Sequence, residues 1–93
     1  MSFPKPTEFS EAVVVYETTF CSYCRMAKAL LERKGIPFAR YDVGGDREAR
    51  QWLVEMSGQR TVPQIFVRGE AIGGYQELAA MDRSGALNEA LAS

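Results

Sequence analysis

Two cysteines three positions apart, Cys21 and Cys24, are the residues best suited to chemistry in this chain. They are its only cysteines, and the chain has no histidine. The lack of histidine excludes Cys-His and Ser-His nucleophilic pairs as well as His-based metal sites. A C-x-x-C pair that follows a strand and opens a helix is typical of a redox-active dithiol. The spacing therefore predicts thiol-disulfide chemistry at this pair.

The start of the predicted helix gives the two thiols different roles. The free backbone amides of Tyr23 and Cys24, together with the positive end of the helix dipole, would lower the thiol pKa of Cys21 from its usual ~8.5. Cys24 lies one turn into the helix, so we expect it to be more buried and protonated. Cys21 is therefore the predicted nucleophile, and Cys24 is predicted to resolve a mixed disulfide on it.

Three other interpretations of the pair are open. A structural disulfide that closes so small a loop would add only ~2 kcal/mol of stability. A zinc site needs four ligands, so a second chain would have to complete it. Two incidental core cysteines are disfavoured because Ser22 and Arg25 make the segment polar. The redox interpretation is favoured over all three.

Composition and charge narrow the class of protein. The 93 residues are 46% hydrophobic and 25% charged, which predicts one small globular domain over residues 1–93. Eleven basic and twelve acidic residues give a net charge of −1, so no attraction to nucleic acid or to an anionic membrane is expected. No apolar run reaches the ~20 residues that cross a bilayer, and none has the length of a signal peptide. We therefore expect a cytoplasmic protein.

Hydrophobic periodicity predicts the element order β-α-β-α-β-β-α behind an N-terminal arm. Residues 1–11 are expected to be extended or flexible, because Pro4 and Pro6 oppose helix formation. A helical crossover makes the first two strands parallel, and a tight hairpin makes the last two antiparallel. We therefore expect an α/β domain with a four-stranded mixed sheet flanked by helices. The predicted strands are 13–16, 38–43, 64–68 and 71–72, and the predicted helices run from 21 to Gly35, from the N-cap Asp46 to Gly58, and from 75 onward with a break near 84–85.

Pro63 precedes a predicted strand, and the sequence does not determine whether its peptide bond is cis or trans. A cis Pro63 would turn the backbone of Val62 toward the thiolate. There it could pair with a peptide-like substrate as a short added strand.

The double glycine Gly73-Gly74 is either a plain turn or a place where backbone approaches a ligand. In the second case the amides of Tyr75 and Gln76, at a helix start, would receive a carboxylate. Together with Arg60 and the first helix dipole, these amides favour a small anionic thiol substrate.

Four sequence blocks follow one another at separations that are highly specific as a set. They are Val13–Tyr16, Cys21-Ser22-Tyr23-Cys24, Thr61-Val62-Pro63-Gln64-Ile65-Phe66, and Ile72-Gly73-Gly74-Tyr75 with Glu77-Leu78. On these blocks the chain resembles the glutaredoxin family from about residue 13 to residue 91.

The resemblance implies a thioredoxin-like fold with strand order 2-1-3-4 and a cis Pro63. It also implies an activity, the reduction of glutathione mixed disulfides and small protein disulfides with electrons from glutathione. The implied partners are glutathione and glutathionylated or disulfide-containing proteins, and the chain would act as a monomer. The implied glutathione site consists of Tyr23, Arg60, Thr61, Val62, Pro63, Gly74, Tyr75 and Gln76.

Three positions depart from the family's pattern. Ser22 replaces the proline of the common Cys-Pro-Tyr-Cys motif, which removes a preorganised first helical position. Thr18 stands where a basic residue is common, so anchoring of the glycine carboxylate of glutathione falls more on Arg60. Gln76 stands where an acidic residue is common, which weakens the expected contact to the γ-glutamyl amine.

Two alternative functions follow from the same motif. Relatives without proline inside the motif sometimes hold a [2Fe–2S] cluster across a dimer, and here Cys21 of each chain and two glutathione thiolates would be the ligands. The other alternative is a thioredoxin-like protein reduced by a flavoprotein reductase. It is disfavoured because the chain lacks a Trp-Cys-Gly-Pro-Cys type of sequence.

Overall fold

The computed structural model describes residues 3–92, and within them the chain forms four strands and four α-helices. A 3-10 helix at Pro6–Glu8 precedes them. No helix in this part of the chain combines the length and apolar character needed to cross a membrane. The strands are β1 (Val13–Glu17), β2 (Phe38–Asp42), β3 (Gln64–Val67) and β4 (Glu70–Gly73), and the helices are α1 (Ser22–Arg33), α2 (Arg47–Ser57), α3 (Tyr75–Ser84) and α4 (Ala86–Ala92).

The sheet has the order β2-β1-β3-β4. Strand β1 pairs parallel to β2 and antiparallel to β3, and β3 pairs antiparallel to β4. All five residues of β1 are buried, as expected for a central strand covered on both faces. The α/β, thioredoxin-like arrangement with strand order 2-1-3-4 is therefore confirmed.

Alternate residues of β1 pack into two separate hydrophobic cores, because successive side chains of a strand point to opposite faces of the sheet. Val13 and Val15 pack with α1, α3 and α4 on one face. Val14 and Tyr16 pack with α2 and the N-terminal arm on the other. The carboxyl end of β1 is thereby fixed from both sides, and the cysteine pair follows directly after it.

The predicted helix ends are present. Gly35 directly follows the C-cap of α1 and has a φ of 69°. The amide of Gly35 donates to the carbonyl of Glu32, and the amide of Ile36 donates to the carbonyl of Leu31. This is the Schellman arrangement. Asp46 caps α2 by accepting the amide of Ala49 at 2.9 Å.

The N-terminal arm differs from its expected extended or flexible form. Its 3-10 turn begins at Pro6, because proline is compatible with the first turn of a helix even though it breaks a helix interior. Phe3 is only 4% exposed and its ring lies 5.2 Å from that of Trp52. Tyr16 ties the arm down further by donating its hydroxyl to the carbonyl of Pro4. Residues 1, 2 and 93, which the predicted domain includes, lie outside the described residues.

The hairpin turn is one residue earlier than expected. Arg68 and Gly69 occupy it with φ values of 51° and 85°, the pattern of a type I′ turn. Arg68 therefore belongs to the turn and not to the strand. Its guanidinium donates to the carbonyls of Ala90 and Leu91, which joins the hairpin to α4.

Candidate active site

Cys21 is the N-cap residue of α1, with extended backbone angles of φ −142° and ψ 106°. Its sulfur accepts a hydrogen bond from the amide of Cys24 at 3.1 Å. The two cysteines are joined as a disulfide, with their Cα atoms 5.2 Å apart. Cys24 is 1% exposed, whereas Cys21 is partly exposed. The predicted difference in burial is therefore present.

The Val62-Pro63 peptide bond is cis, which brings the backbone before β3 against the cysteines. The carbonyl oxygen of Val62 lies 3.6 Å from the sulfur of Cys21. A substrate held along this backbone would present its own sulfur next to Cys21.

A buried amide side chain holds the loop before the cis bond. Gln64 is 4% exposed, and its Nε2 donates to the carbonyl of Gln59 at 2.7 Å and to that of Thr61 at 3.0 Å. Its Oε1 is buried with no hydrogen-bond partner among the described residues. We did not predict this role from the sequence. The signal was a polar residue at the first position of an otherwise apolar strand.

A cavity of about 240 Å³ opens beside the disulfide. The rings of Tyr23 and Tyr75 form one wall of it, stacked with centroids 6.2 Å apart and planes at 28°. Tyr23 is half exposed, so an aromatic surface faces the solvent next to Cys21. The remaining lining residues are Thr61, Pro63, Gln76 and Glu77.

The double glycine allows α3 to begin close to the cis proline. A Cβ on Gly74 would lie 3.3 Å from the carbonyl oxygen of Pro63. Gly73 has a φ of 115°, and a Cβ there would lie 2.7 Å from the side chain of Glu77. The carboxylate of Glu77 folds back to accept the amide of Gly74 at 2.8 Å. Sequence reasoning missed Glu77, although an acidic residue at the third position of a helix is a typical capping signal.

A larger cavity of about 450 Å³ adjoins the first and shares Thr61, Pro63 and Glu77 with it. Its floor includes Gln64 and both glycines. Because the two cavities share lining residues, we call them together the trough.

Arg60 is a residue of the predicted glutathione site that does not line this trough. It lines a separate depression together with Arg47 and Arg50. The other predicted residues surround the disulfide or line the trough: Tyr23, Thr61, Val62, Pro63, Gly74, Tyr75 and Gln76.

Two apolar side chains close to the cysteines in the chain are exposed to solvent. Phe20, directly before Cys21, is 96% exposed, and Met26 on α1 is nearly half exposed. We did not single out Phe20 from the sequence, because a phenylalanine before a helix gives no local sign of its exposure.

Comparison with known proteins places this geometry in a family. A sequence model of the glutaredoxin family matches residues 13–72. The chain is 40% identical over 79 residues to glutaredoxin 3 of Escherichia coli, covering 85% of this chain and 95% of that protein. It is 41% identical over 81 residues to a glutaredoxin of Pseudomonas aeruginosa, covering 87% and 96% respectively.

Solved structures give the same result. The crystal structure of a buckwheat glutaredoxin-glutathione complex superposes with a TM-score of 0.81 at 30% sequence identity. The match covers 89% of this chain and 78% of the buckwheat chain. With its Cys21-Cys24 pair at the start of α1, the chain belongs to the glutaredoxin family of thiol-disulfide oxidoreductases.

Proposed function

We propose that this protein reduces glutathione mixed disulfides and small protein disulfides with electrons from glutathione. The observation that carries the proposal is the sulfur of Cys21 at the N-cap of α1, where it accepts the amide of Cys24. A thiolate in that position is stabilised by the amide and by the positive end of the helix. Cys21 is therefore the attacking residue.

The first step is attack of the Cys21 thiolate on the glutathionyl sulfur of a mixed disulfide. A new bond joins Cys21 to that sulfur, and the protein thiolate leaves and takes a proton from water. A second glutathione thiolate then attacks the glutathionyl sulfur held on Cys21. This releases oxidised glutathione and restores the Cys21 thiolate.

Cys24 enters when the substrate is a protein disulfide. Its sulfur is close enough to Cys21 to form the disulfide that the structure contains. In that reaction the Cys21 thiolate first attacks one sulfur of the protein disulfide, which forms a mixed disulfide and frees the other protein sulfur as a thiolate. The Cys24 thiol gives its proton to that thiolate and attacks the Cys21 sulfur, and the second protein thiolate leaves and takes a proton from water. Two glutathione molecules then reduce the Cys21-Cys24 disulfide.

The trough beside the disulfide supports glutathione as the thiol. Glutathione carries two carboxylates and one ammonium group. The amides of Tyr75 and Gln76 lie in the first turn of α3 and suit a carboxylate, whereas the side chain of Glu77 suits the ammonium. The backbone of Val62 and the side chain of Thr61 would align the cysteinyl part. The buckwheat glutaredoxin, which has the same fold, binds glutathione.

The [2Fe–2S] alternative remains a prediction. Among residues 3–92 no group of three or more His, Cys, Asp or Glu side chains could hold a metal ion. A cluster therefore needs a second copy of the chain and two glutathione thiolates, with Cys21 as the ligand from each chain. No observation favours this function over thiol-disulfide exchange. The cytoplasmic location and the monomeric state also remain predictions.

The proposal is tested with a glutathionylated peptide and two single variants. Cys21→Ser should abolish glutathione-dependent deglutathionylation, while Cys24→Ser should retain much of it, because only Cys21 attacks a glutathione mixed disulfide. The opposite ranking would defeat the assignment.

Turnover that needs a flavoprotein reductase and not glutathione would support the thioredoxin-like alternative. An absorption spectrum of the same protein, prepared anaerobically with glutathione, checks for the cluster.

A further inference from the structure

Strand β2 lies at an edge of the sheet, and in the described part of the chain it pairs only with β1. The amide of Val43, directly after the strand, donates to the carbonyl of Glu17. Because the backbone groups of successive strand residues point to opposite sides, those of Arg40 and Asp42 point away from β1. These outward groups have no hydrogen-bond partner within residues 3–92.

Arg40 and Asp42 also present opposite charges on one face of this edge. The Arg40 side chain is 64% exposed and contacts Glu17 through Nε, which leaves its two terminal nitrogens for another acceptor. Asp42 is exposed, and its oxygens accept the amide of Gly44 and the hydroxyl of Thr19. No cation among the described residues forms an ion pair with Asp42. Both side chains can therefore take a further partner of opposite charge.

We propose that β2 is a dimer surface that pairs antiparallel with β2 of a second copy of this chain, so that Arg40 of each copy lies opposite Asp42 of the other. In this register the outward backbone groups of Arg40 and Asp42 exchange two N–H···O bonds, and the twofold axis repeats them. Cross-strand pairs of opposite charge stabilise a sheet. The two Tyr41 residues form the central, non-hydrogen-bonded pair, in which side chains lie closest.

The charges select this register over its neighbours. Sliding one strand by two residues is the smallest step that keeps the outward backbone groups facing each other. One direction places Arg40 opposite Arg40, and the other places Asp42 opposite Asp42. Like charges directly opposite each other are destabilising. A second copy of the chain is therefore a complementary partner in one register only.

The other edge of the sheet is less suited to pairing. The register of β4 against β3 shifts between Ile65 and Phe66, and β4 ends at Gly73 with a φ of 115°. Such irregularities bend an edge strand away from an added strand. In contrast, β2 pairs regularly with β1 along all five of its residues. The regular edge is therefore the one that carries the complementary charges.

The proposed dimer leaves both active sites open. Cys21 follows the carboxyl end of β1, and β2 runs parallel to β1. Antiparallel pairing of two β2 strands directs these carboxyl ends in opposite directions, so the two disulfides lie at opposite ends of the dimer. The interface is thus distinct from a cluster-bridged dimer, in which Cys21 of each chain is a ligand. It departs from the monomer that the family resemblance implies, and it does not depend on the proposed function.

The test is sedimentation velocity of the metal-free protein with a phosphine reductant and without glutathione. The wild type should dimerise reversibly with a Kd on the order of 100 μM, as for a small transient interface. Cys21→Ser should dimerise equally, because Cys21 lies outside the interface. A dimer that needs Cys21 or added glutathione would overturn the inference.

Charge reversals test the register. Asp42→Lys and Arg40→Glu each place like charges opposite each other, so each protein alone should dimerise at least about tenfold more weakly than the wild type. A mixture of the two should form a heterodimer near the wild-type affinity, because both cross-strand contacts again join opposite charges. Glu70→Lys makes the same change of charge as Asp42→Lys on the exposed start of β4, and it should dimerise like the wild type.

A wild type that stays monomeric up to about tenfold above the expected Kd would overturn the inference and leave the proposed function untouched. A mixture of folded variants that forms no heterodimer would overturn it too. Equal weakening by Glu70→Lys would show that net charge governs association. If Arg40→Glu fails to fold, Asp42→Asn decides the question: it keeps a side chain that can bond Gly44 and Thr19, and it should dimerise about fivefold more weakly than the wild type. Unchanged dimerisation of Asp42→Asn would contradict the proposed ion pairs.

Discussion

The amide of Cys24 lies 3.1 Å from the sulfur of Cys21 and donates a hydrogen bond to it. The same helix therefore holds the second cysteine and supplies a donor to the first. Because the donor belongs to the α1 backbone, reduction of the disulfide does not remove it. The two thiols of the reduced protein consequently differ in environment, with one at the helix end and the other buried in its first turn.

We predict that the Cys21 thiol of the reduced protein ionises at lower pH than an ordinary thiol. The hydrogen bond and the helix dipole both favour the charged form. The measurement is the rate of alkylation of Cys24→Ser by iodoacetamide as a function of pH. If the rate instead rises only near pH 8.5, as for an unperturbed cysteine, the attacking thiolate of the proposed mechanism has no support.

Gly73→Ala should raise the KM for glutathione and lower the stability of the protein. The new methyl group would collide with the side chain of Glu77 and would sit on a backbone with φ of 115°, which costs about 1–3 kcal/mol. Glutathione-dependent kinetics and urea unfolding measure the two effects. Gly45→Ala is the matched control for stability, because a Cβ there meets no atom within 4 Å. Equal unfolding midpoints for the two variants would contradict the prediction.

Gln64→Met should loosen the loop before the cis proline. The variant keeps the shape of the side chain but leaves the carbonyls of Gln59 and Thr61 without their donor, a loss of about 1–3 kcal/mol. The loss should fall at the low end of that range, because the buried Oε1 of Gln64 already lacks a partner among residues 3–92. We expect a lower free energy of unfolding and a raised KM for glutathione.

The control for that experiment is Gln51→Met. Gln51 is exposed on α2 and its Nε2 contacts only Glu55 among the described residues. Replacing Gln51 should leave both the free energy of unfolding and the KM for glutathione near their wild-type values. A Gln64→Met protein that behaves like this control would show that the loop does not need its anchor.

The cap of α2 should make stability depend on pH in acid. The hydroxyl of Tyr41 and then the amide of Ala49 hold the pKa of Asp46 below its usual value. The stabilising contribution is therefore complete above the unfolded pKa of ~3.9 and is lost as the pH falls through it toward the folded pKa. Asp46→Asn keeps a capping side chain without the charge.

The measurement is the urea midpoint of the wild type and of Asp46→Asn between pH 6 and pH 2. The advantage of the wild type over the variant should shrink below about pH 4. A difference that stays constant across this range would show that the charge of Asp46 makes no contribution to stability.

Features set by neighbouring residues were predictable from the sequence. Gly35 with Ile36 marks the end of α1, and Asp46 marks the start of α2, because caps are satisfied by groups within a few positions. The place of Cys21 at the start of α1 was expected for the same reason. The cis form of Pro63 was implied only by the family resemblance, since a prolyl bond has little local preference.

Features that depend on distant contacts were not predictable. The burial of Phe3 depends on an aromatic cluster formed by β1, β2 and α2, and nothing in the arm itself indicates it. The turn at Arg68 and Gly69 requires a positive φ at an arginine, which local preference disfavours. Arg60 lines a depression with Arg47 and Arg50 of α2 and does not line the trough, and no local pattern in the loop indicates this.

The seating of Phe3 has a practical consequence for work with this protein. Trp52 is the sole tryptophan of the chain, and it is stacked on Phe66 and covered by Phe3. The fluorescence of Trp52 therefore reports whether the N-terminal residues are packed against it. A protein shortened to begin at β1 would expose the indole to water and shift its emission to longer wavelength. When a label or an affinity tag is joined to the N-terminus, the emission of Trp52 should be measured before any kinetic experiment.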